Sequence, residues 1–296
     1  MDNSQLANSK VKKFFFPLAP IKVITSLKTM LIIALMIALK IVFELISIPI
    51  PGFVVNISFG VVIVLMMGWY FGPVYGLVLG FISDTLCYFI HPTGVWFWMY
   101  ALQEPLIGMI AGIVGSAYRL RKQTTRNIVI DIVIQQIMFT CFVIFCFVGL
   151  VLWTPKNQSD DQYWNSQYQA YRWVCCGLLC LFYLVMEVFT FWYMGVNWKN
   201  KENSILLFTY VTFLALFVIV LFSLALGPWI TAKYLAYING YTPSNWVNIG
   251  FMYYFIPRVI IDCIKTPIII LLSLGIVFVV DPIIDNAKNG IFNRWD

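Results

Sequence analysis

The sequence predicts an all-α polytopic membrane protein of about eight spanning helices, and three observations carry that reading. Hydrophobic residues make up 61% of the 296 and charged residues only 11%, where a soluble domain carries about 25%. The apolar residues run in unbroken blocks of roughly 17 to 30, enough helix to cross about 30 Å of hydrocarbon. Only helices and closed barrels satisfy their backbone in lipid, and these blocks lack the alternation of a barrel strand. Finally, the basic residues gather in short segments between blocks, which makes the net charge of +6 a topology signal and not a nucleic-acid footprint.

Spans are predicted near 25–46, 57–70, 73–91, 95–118, 127–153, 172–195, 204–227 and 249–280. Residues 1–24 form an amino-terminal tail with Lys10, Lys12, Lys13 and Lys22, read as retained and not as a signal peptide. Residues 25–280 form one transmembrane domain, and 281–296 a carboxy-terminal tail. Arg119, Arg121, Lys122 and Arg126, then Lys199 and Lys201, then Lys288 and Arg294 all fall on the side of the amino-terminal tail. The positive-inside rule therefore predicts both termini in the cytoplasm of a multi-pass cell-membrane protein. Tryptophans such as Trp69, Trp153, Trp192 and Trp229 sit near span ends, where an amphipathic ring prefers the interface.

No GxxxxGK[ST], HExxH or GxSxG occurs, so no phosphate cradle, zincin site or nucleophile elbow is expected. The seven cysteines lie in apolar segments without a CxxC pair, and His91 is the only histidine. No catalytic residues, metal site or cofactor are predicted, and the chain does not read as an enzyme.

Chemistry enters where the spans carry charge. Gly68, Gly72, Gly76 and Gly80 recur every fourth residue, a spacing that lets helix backbones approach closely in lipid. The next step lands on Asp84, which must point into the bundle. Glu104 heads a second stripe with Gly108, Gly112 and Gly115. At 1.5 Å per residue, Asp84, Glu104 and Arg258 each lie roughly 10 to 13 Å below the outer surface, and Lys40 lies at a similar level. Together they describe a polar cavity opening outward. Its mouth would hold His91, Trp96 and Trp98 on one loop and Asn56 on another. Pairs four apart, Lys40 with Glu44 and Arg258 with Asp262, leave open that these groups only hold helices together. Lys265 is placed deeper and Glu187 in mid-span.

Ala34 and Ala38 in "LIIALMIALK" resemble the AxxxA pair on the first helix of energy-coupling factor (ECF) transporter S components. "ISFGVVIVLMMGWYFGPVYGLVLGFISDTLCYFIHPTG" is similar to helices two and three of folate-specific members, and "FIPRVIIDCIKTPIIILL" resembles the last helix. Members usually have six helices, which makes about two helices within 127–248 additional. The resemblance implies a vitamin-binding subunit that captures folate at the outer face and docks through Ala34 and Ala38 on a transmembrane coupling protein driven by two separate ATPases. Asp84 and Glu104 would then accept hydrogen bonds from a pterin edge, while Arg258 and Lys40 hold carboxylates. Riboflavin or another vitamin is the alternative ligand, and a stand-alone proton-coupled transporter the alternative class.

Overall fold

The computed structural model describes residues 14–17, 27–49, 56–92, 94–122, 128–152, 162–197, 202–238 and 246–292. The described chain is all-helical apart from one small ribbon. Helix α1 (Leu27–Leu45) leads to strands β1 (Ile48–Pro49) and β2 (Asn56–Ile57), which pair antiparallel with Ile48 opposite Ile57. Then come α2 (Gly60–Phe71), α3 (Pro73–Ile90), a single turn α4 (Trp98–Ala101) and α5 (Gln103–Lys122). The remainder is α6 (Ile128–Leu152), α7 (Gln162–Asn197), α8 (Glu202–Val218), a π-helical segment (Ile219–Leu226), α9 (Gly227–Ile238) and α10 (Trp246–Phe292).

Among the described residues, five stretches are long and apolar enough to cross a membrane: Pro73–Ile90, Ile128–Val148, Trp173–Val196, Ser204–Thr231 and Pro257–Pro282. Helix α2 is apolar but has only 12 residues. Helices α1 and α5 have sufficient length, at 19 and 20 residues, but carry more charge. The predicted spans therefore each meet a helical stretch. The fourth breaks at Leu102 into α4 and α5, the sixth begins earlier at Gln162, the seventh runs on through the π-helical segment and α9 to Ile238, and the last continues to Phe292.

The bundle is built inside out relative to a soluble protein. Leu35, Phe81, Phe89, Phe145, Val188 and Phe191 face outward, while Lys40, Asp131 and Asp262 are buried. With lipid as the solvent, apolar side chains lose nothing by facing out, and polar groups must find partners within. Helix α2 is buried along almost its whole length, and the α8 limb likewise runs through the middle.

The two glycine stripes meet each other. Helices α3 and α5 make the most extensive contact in the molecule, with α2 packed on both. A Cβ at Gly76 would strike the carbonyl oxygen of Gly108, and one at Gly108 would strike that of Gly76. Gly80 lies against the Glu104 carbonyl, which a Cβ would approach to 2.7 Å. Gly72 turns the chain between α2 and α3 with φ of +89°, a conformation that only glycine adopts freely. Pro73 then opens α3, where its missing N–H costs nothing.

At the end of the bundle remote from His91, Arg119 donates to the Trp69 carbonyl at 2.6 Å and Tyr70 to Asp281 at 3.1 Å. Ser116 donates to the Phe14 carbonyl at 2.7 Å, and Phe16 packs edge-on against Tyr75. Part of the expected amino-terminal tail thus lies on the helices. The rest of 1–24, and residues 293–296, lie outside the described residues. In the additional helices, Gln136 donates to Glu187, and Thr140 shares a hydrogen bond with Tyr183 at 3.1 Å. Glu187 thereby finds its partner on the neighbouring α6.

Candidate functional site: a polar cavity between α1, α3, α5 and α10

The glycine contact determines where the acids go. Asp84 follows Gly80 by one turn on α3, and Glu104 precedes Gly108 by one turn on α5, so both emerge from the same end of the α3–α5 seam. A cavity of about 560 Å³ opens there. Lys40, Asp84, His91, Trp96, Glu104 and Arg258 all line it. The expectation that these residues converge at one level therefore has a physical counterpart. Trp98 is not among the lining residues; it stands 52% exposed beside the Phe97 ring, because α4 begins there and turns it outward. Asn56 belongs to β2, but its side chain lies outside the described residues.

Among the described residues, one pair of charges is matched inside the cavity. Lys40, only 1% exposed, donates to Glu104 at 2.6 Å, since a buried ammonium requires a counter-charge. Ser83 also reaches Glu104, at 3.4 Å. The partner predicted for Lys40 from spacing was Glu44; Glu44 instead accepts from Ser58 at 2.7 Å. Arg258 directs Nη2 to the Thr231 hydroxyl at 3.0 Å and Nη1 toward the Ser223 carbonyl at 3.5 Å. Lys40 thus has a counter-charge within the protein, whereas Arg258 bonds only uncharged groups and keeps a buried Nε without a partner.

Other groups are unspent. Lys265 lines the cavity, on the same face of α10 as Arg258 two turns earlier, and makes no hydrogen bond or close ion pair among the described residues. Placing it deep was right in chain position, but the hollow extends down to meet it. Gln103 also lines the cavity, and its Nε2 is buried without a hydrogen-bond partner. Sequence reasoning passed over Gln103, though it immediately precedes Glu104. It also passed over Tyr100 and Tyr234, which complete an aromatic wall with Phe97. Nothing in span spacing pointed to Tyr234, whose contacts are made across 139 residues. Ala34 and Ala38 lie outside the cavity, exposed four residues apart on α1.

Such a hollow offers carboxylate acceptors, a free ammonium, an amide and aromatic faces, the means to hold a flat polar ring system. Among the described residues no group of histidine, cysteine, aspartate and glutamate has the geometry to hold a metal ion.

Residues 24–163 match the family described as ECF-type riboflavin transporter, S component. Over that stretch, just under half of the chain, the protein is similar to ECF-type S components. It is a multi-pass membrane protein, a transporter subunit and not an enzyme. It is 31% identical over 284 residues to the uncharacterized protein MG313 of Mycoplasma genitalium, covering 93% of this chain and 96% of that protein. It is 28% identical over 285 residues to the MG313 homolog of Mycoplasma pneumoniae, covering 94% and 96%. The S-component class anticipated from the helix motifs stands. The folate assignment drawn from helices two and three gains no support, since the matching family is described by riboflavin.

Proposed function

We propose that this S component captures riboflavin or a close flavin in the α1–α3–α5–α10 cavity and delivers it to an energy-coupling module. The observation that carries the reading is the convergence of Asp84, Lys265 and Gln103 on one hollow of about 560 Å³ beside aromatic walls, within the family matched over residues 24–163. Pockets for small molecules span about 300–1,000 Å³, so a three-ring ligand fits.

The distribution of spent and unspent groups favours flavin over folate. Folate carries two carboxylates, and of the three cations at the cavity Lys40 is already ion-paired with Glu104, while Arg258 spends Nη2 on the Thr231 hydroxyl that holds α9. Riboflavin is uncharged. Its imide N–H suits a carboxylate such as Asp84, its ring carbonyls suit the Lys265 ammonium, and its hydroxylated chain suits amide and phenol groups such as Gln103 and Tyr100. His91 and Trp96 border the opening and would cover the ring. Glu104 acts by fixing Lys40.

The cavity mouth faces outside the cell, with both termini in the cytoplasm, as the basic loops require. Ala34 and Ala38 form the smooth patch on α1 that meets the coupling protein, and two separate ATPases supply the energy. The chain itself lacks the phosphate-binding loop.

Riboflavin fluoresces, so titrating it with the purified protein and following quenching tests the ligand, with folate as competitor. Saturable quenching that folate does not reverse is expected. Folate binding without flavin binding would overturn the specificity. Uptake in cells should require co-expression of the coupling protein and ATPases; uptake by this chain alone that collapses with the proton gradient would favour a stand-alone transporter.

A further inference from the structure

Between α8 and α9 the helix widens into eight π-helical residues, Ile219–Leu226. Wide turns are rare and occur mostly at functional positions within helices. Beyond them α9 starts at Gly227, packed so closely on Arg258 that a Cβ there would strike its guanidinium. Helix α9 is then tied in two directions. Toward the cavity, Thr231 accepts from Arg258 at 3.0 Å and shares a hydrogen bond with the Tyr100 hydroxyl at 2.8 Å. Toward the mouth, the Tyr234 hydroxyl accepts the Val95 N–H at 3.1 Å. The Phe97 ring lies 5.8 Å from Tyr234 and 5.6 Å from Tyr237. Val95, Tyr100, Tyr234 and Arg258 all line the cavity, so one short helix connects its wall to the loop at its rim. None of the limb 219–238 falls within the residues matched by the family.

We infer that the limb Ile219–Ile238 is the cover of the ligand cavity, hinged at the π-helical segment, held shut through Thr231 by Arg258 and Tyr100, and carrying Tyr234 to pin the loop at Val95. The inference rests on this cavity being the ligand site. A ligand enclosed behind the loop leaves when α9 releases it. Arg258 accordingly acts as a positioning residue, governing ligand residence through the helix it holds. Thr231 is the joint: its hydroxyl bonds to Arg258, Tyr100 and the Gly227 carbonyl, and it is fully buried.

The test uses the full chain in detergent with two readouts. One is hydrogen exchange at the peptide containing Val95, measured by mass spectrometry without ligand. The other is release of bound riboflavin, followed by recovery of its fluorescence. Tyr234→Phe removes the pin and keeps the ring; Thr231→Val removes the joint and keeps its shape. Both are expected to speed exchange at Val95 and to raise the release rate about three- to tenfold, the effect of losing one hydrogen bond. Exchange at Val95 that stays at the wild-type rate in Thr231→Val would overturn the cover. Should that variant fail to fold, Tyr100→Phe breaks the same joint from the other side and decides by the same criterion. A wild-type protein that ignores riboflavin while the exchange responds as expected would overturn the flavin reading and leave the cover standing.

Discussion

Lys40 and Glu104 stand 2.6 Å apart, joining α1 to α5 across 64 residues at the edge of the cavity. Removing one partner of a buried pair leaves the other charge uncompensated, at a cost of roughly 3–5 kcal/mol. Lys40→Met should therefore lower the melting temperature strongly and weaken riboflavin binding, and Lys40→Met combined with Glu104→Gln should restore much of the stability. A double variant as unstable as the single one would show that Lys40 serves something other than charge balance.

The glycine seam predicts a contrast between positions. Gly108→Ala must push α3 and α5 apart, because its new methyl meets the Gly76 backbone, and overpacking costs about 1–3 kcal/mol. Gly177 has open space around it, so Gly177→Ala should leave the melting temperature unchanged or raise it slightly, alanine being the better helix former by about 1 kcal/mol. Equal effects at both sites would contradict the seam.

Two tryptophans two positions apart in the chain's aromatic run, Trp96 and Trp98, have different places. Trp96 lines the cavity and Trp98 does not. Trp96→Ala is expected to weaken flavin affinity severalfold, roughly 1 kcal/mol for a lost aromatic contact, with Trp98→Ala binding as the wild type. Titration by fluorescence quenching reads both.

Asp84 and Lys265 are the polar groups most available to a ligand. Asp84→Asn and Lys265→Met should each reduce riboflavin affinity about tenfold or more, as hydrogen bonds to charged groups are worth about 1.5–3 kcal/mol. Because Lys265 has no close partner among the described residues, Lys265→Met should cost little stability, which separates a binding role from a structural one.

Much of this was legible because lipid makes the sequence explicit. Charges stand out in apolar helices, so Asp84, Glu104 and Arg258 could be placed at one level by counting residues from the span ends. Glycine spacing gave the seam, although not that the two stripes pack on each other. What counting could not supply was pairing between distant helices. Lys40 has Glu44 four residues away, yet the packing of α1 on its neighbours delivers Glu104. Arg258 has Asp262 one turn on, yet its donors turn to Thr231 and Ser223. The π-helical segment left no mark either, since Ile219–Leu226 reads as an ordinary apolar run. The resemblance to folate-specific members rests on helices two and three, whose glycines serve the α2–α3–α5 packing, and packing residues say little about which vitamin is held.

Backbone-to-backbone contact along Gly76 and Gly108 leaves no soft side-chain layer between α3 and α5 to deform. During a transport cycle this pair, with α2 lodged against it, would travel as one stiff plate, and whatever bends to admit and discharge cargo must be sought among the elements hung around its rim.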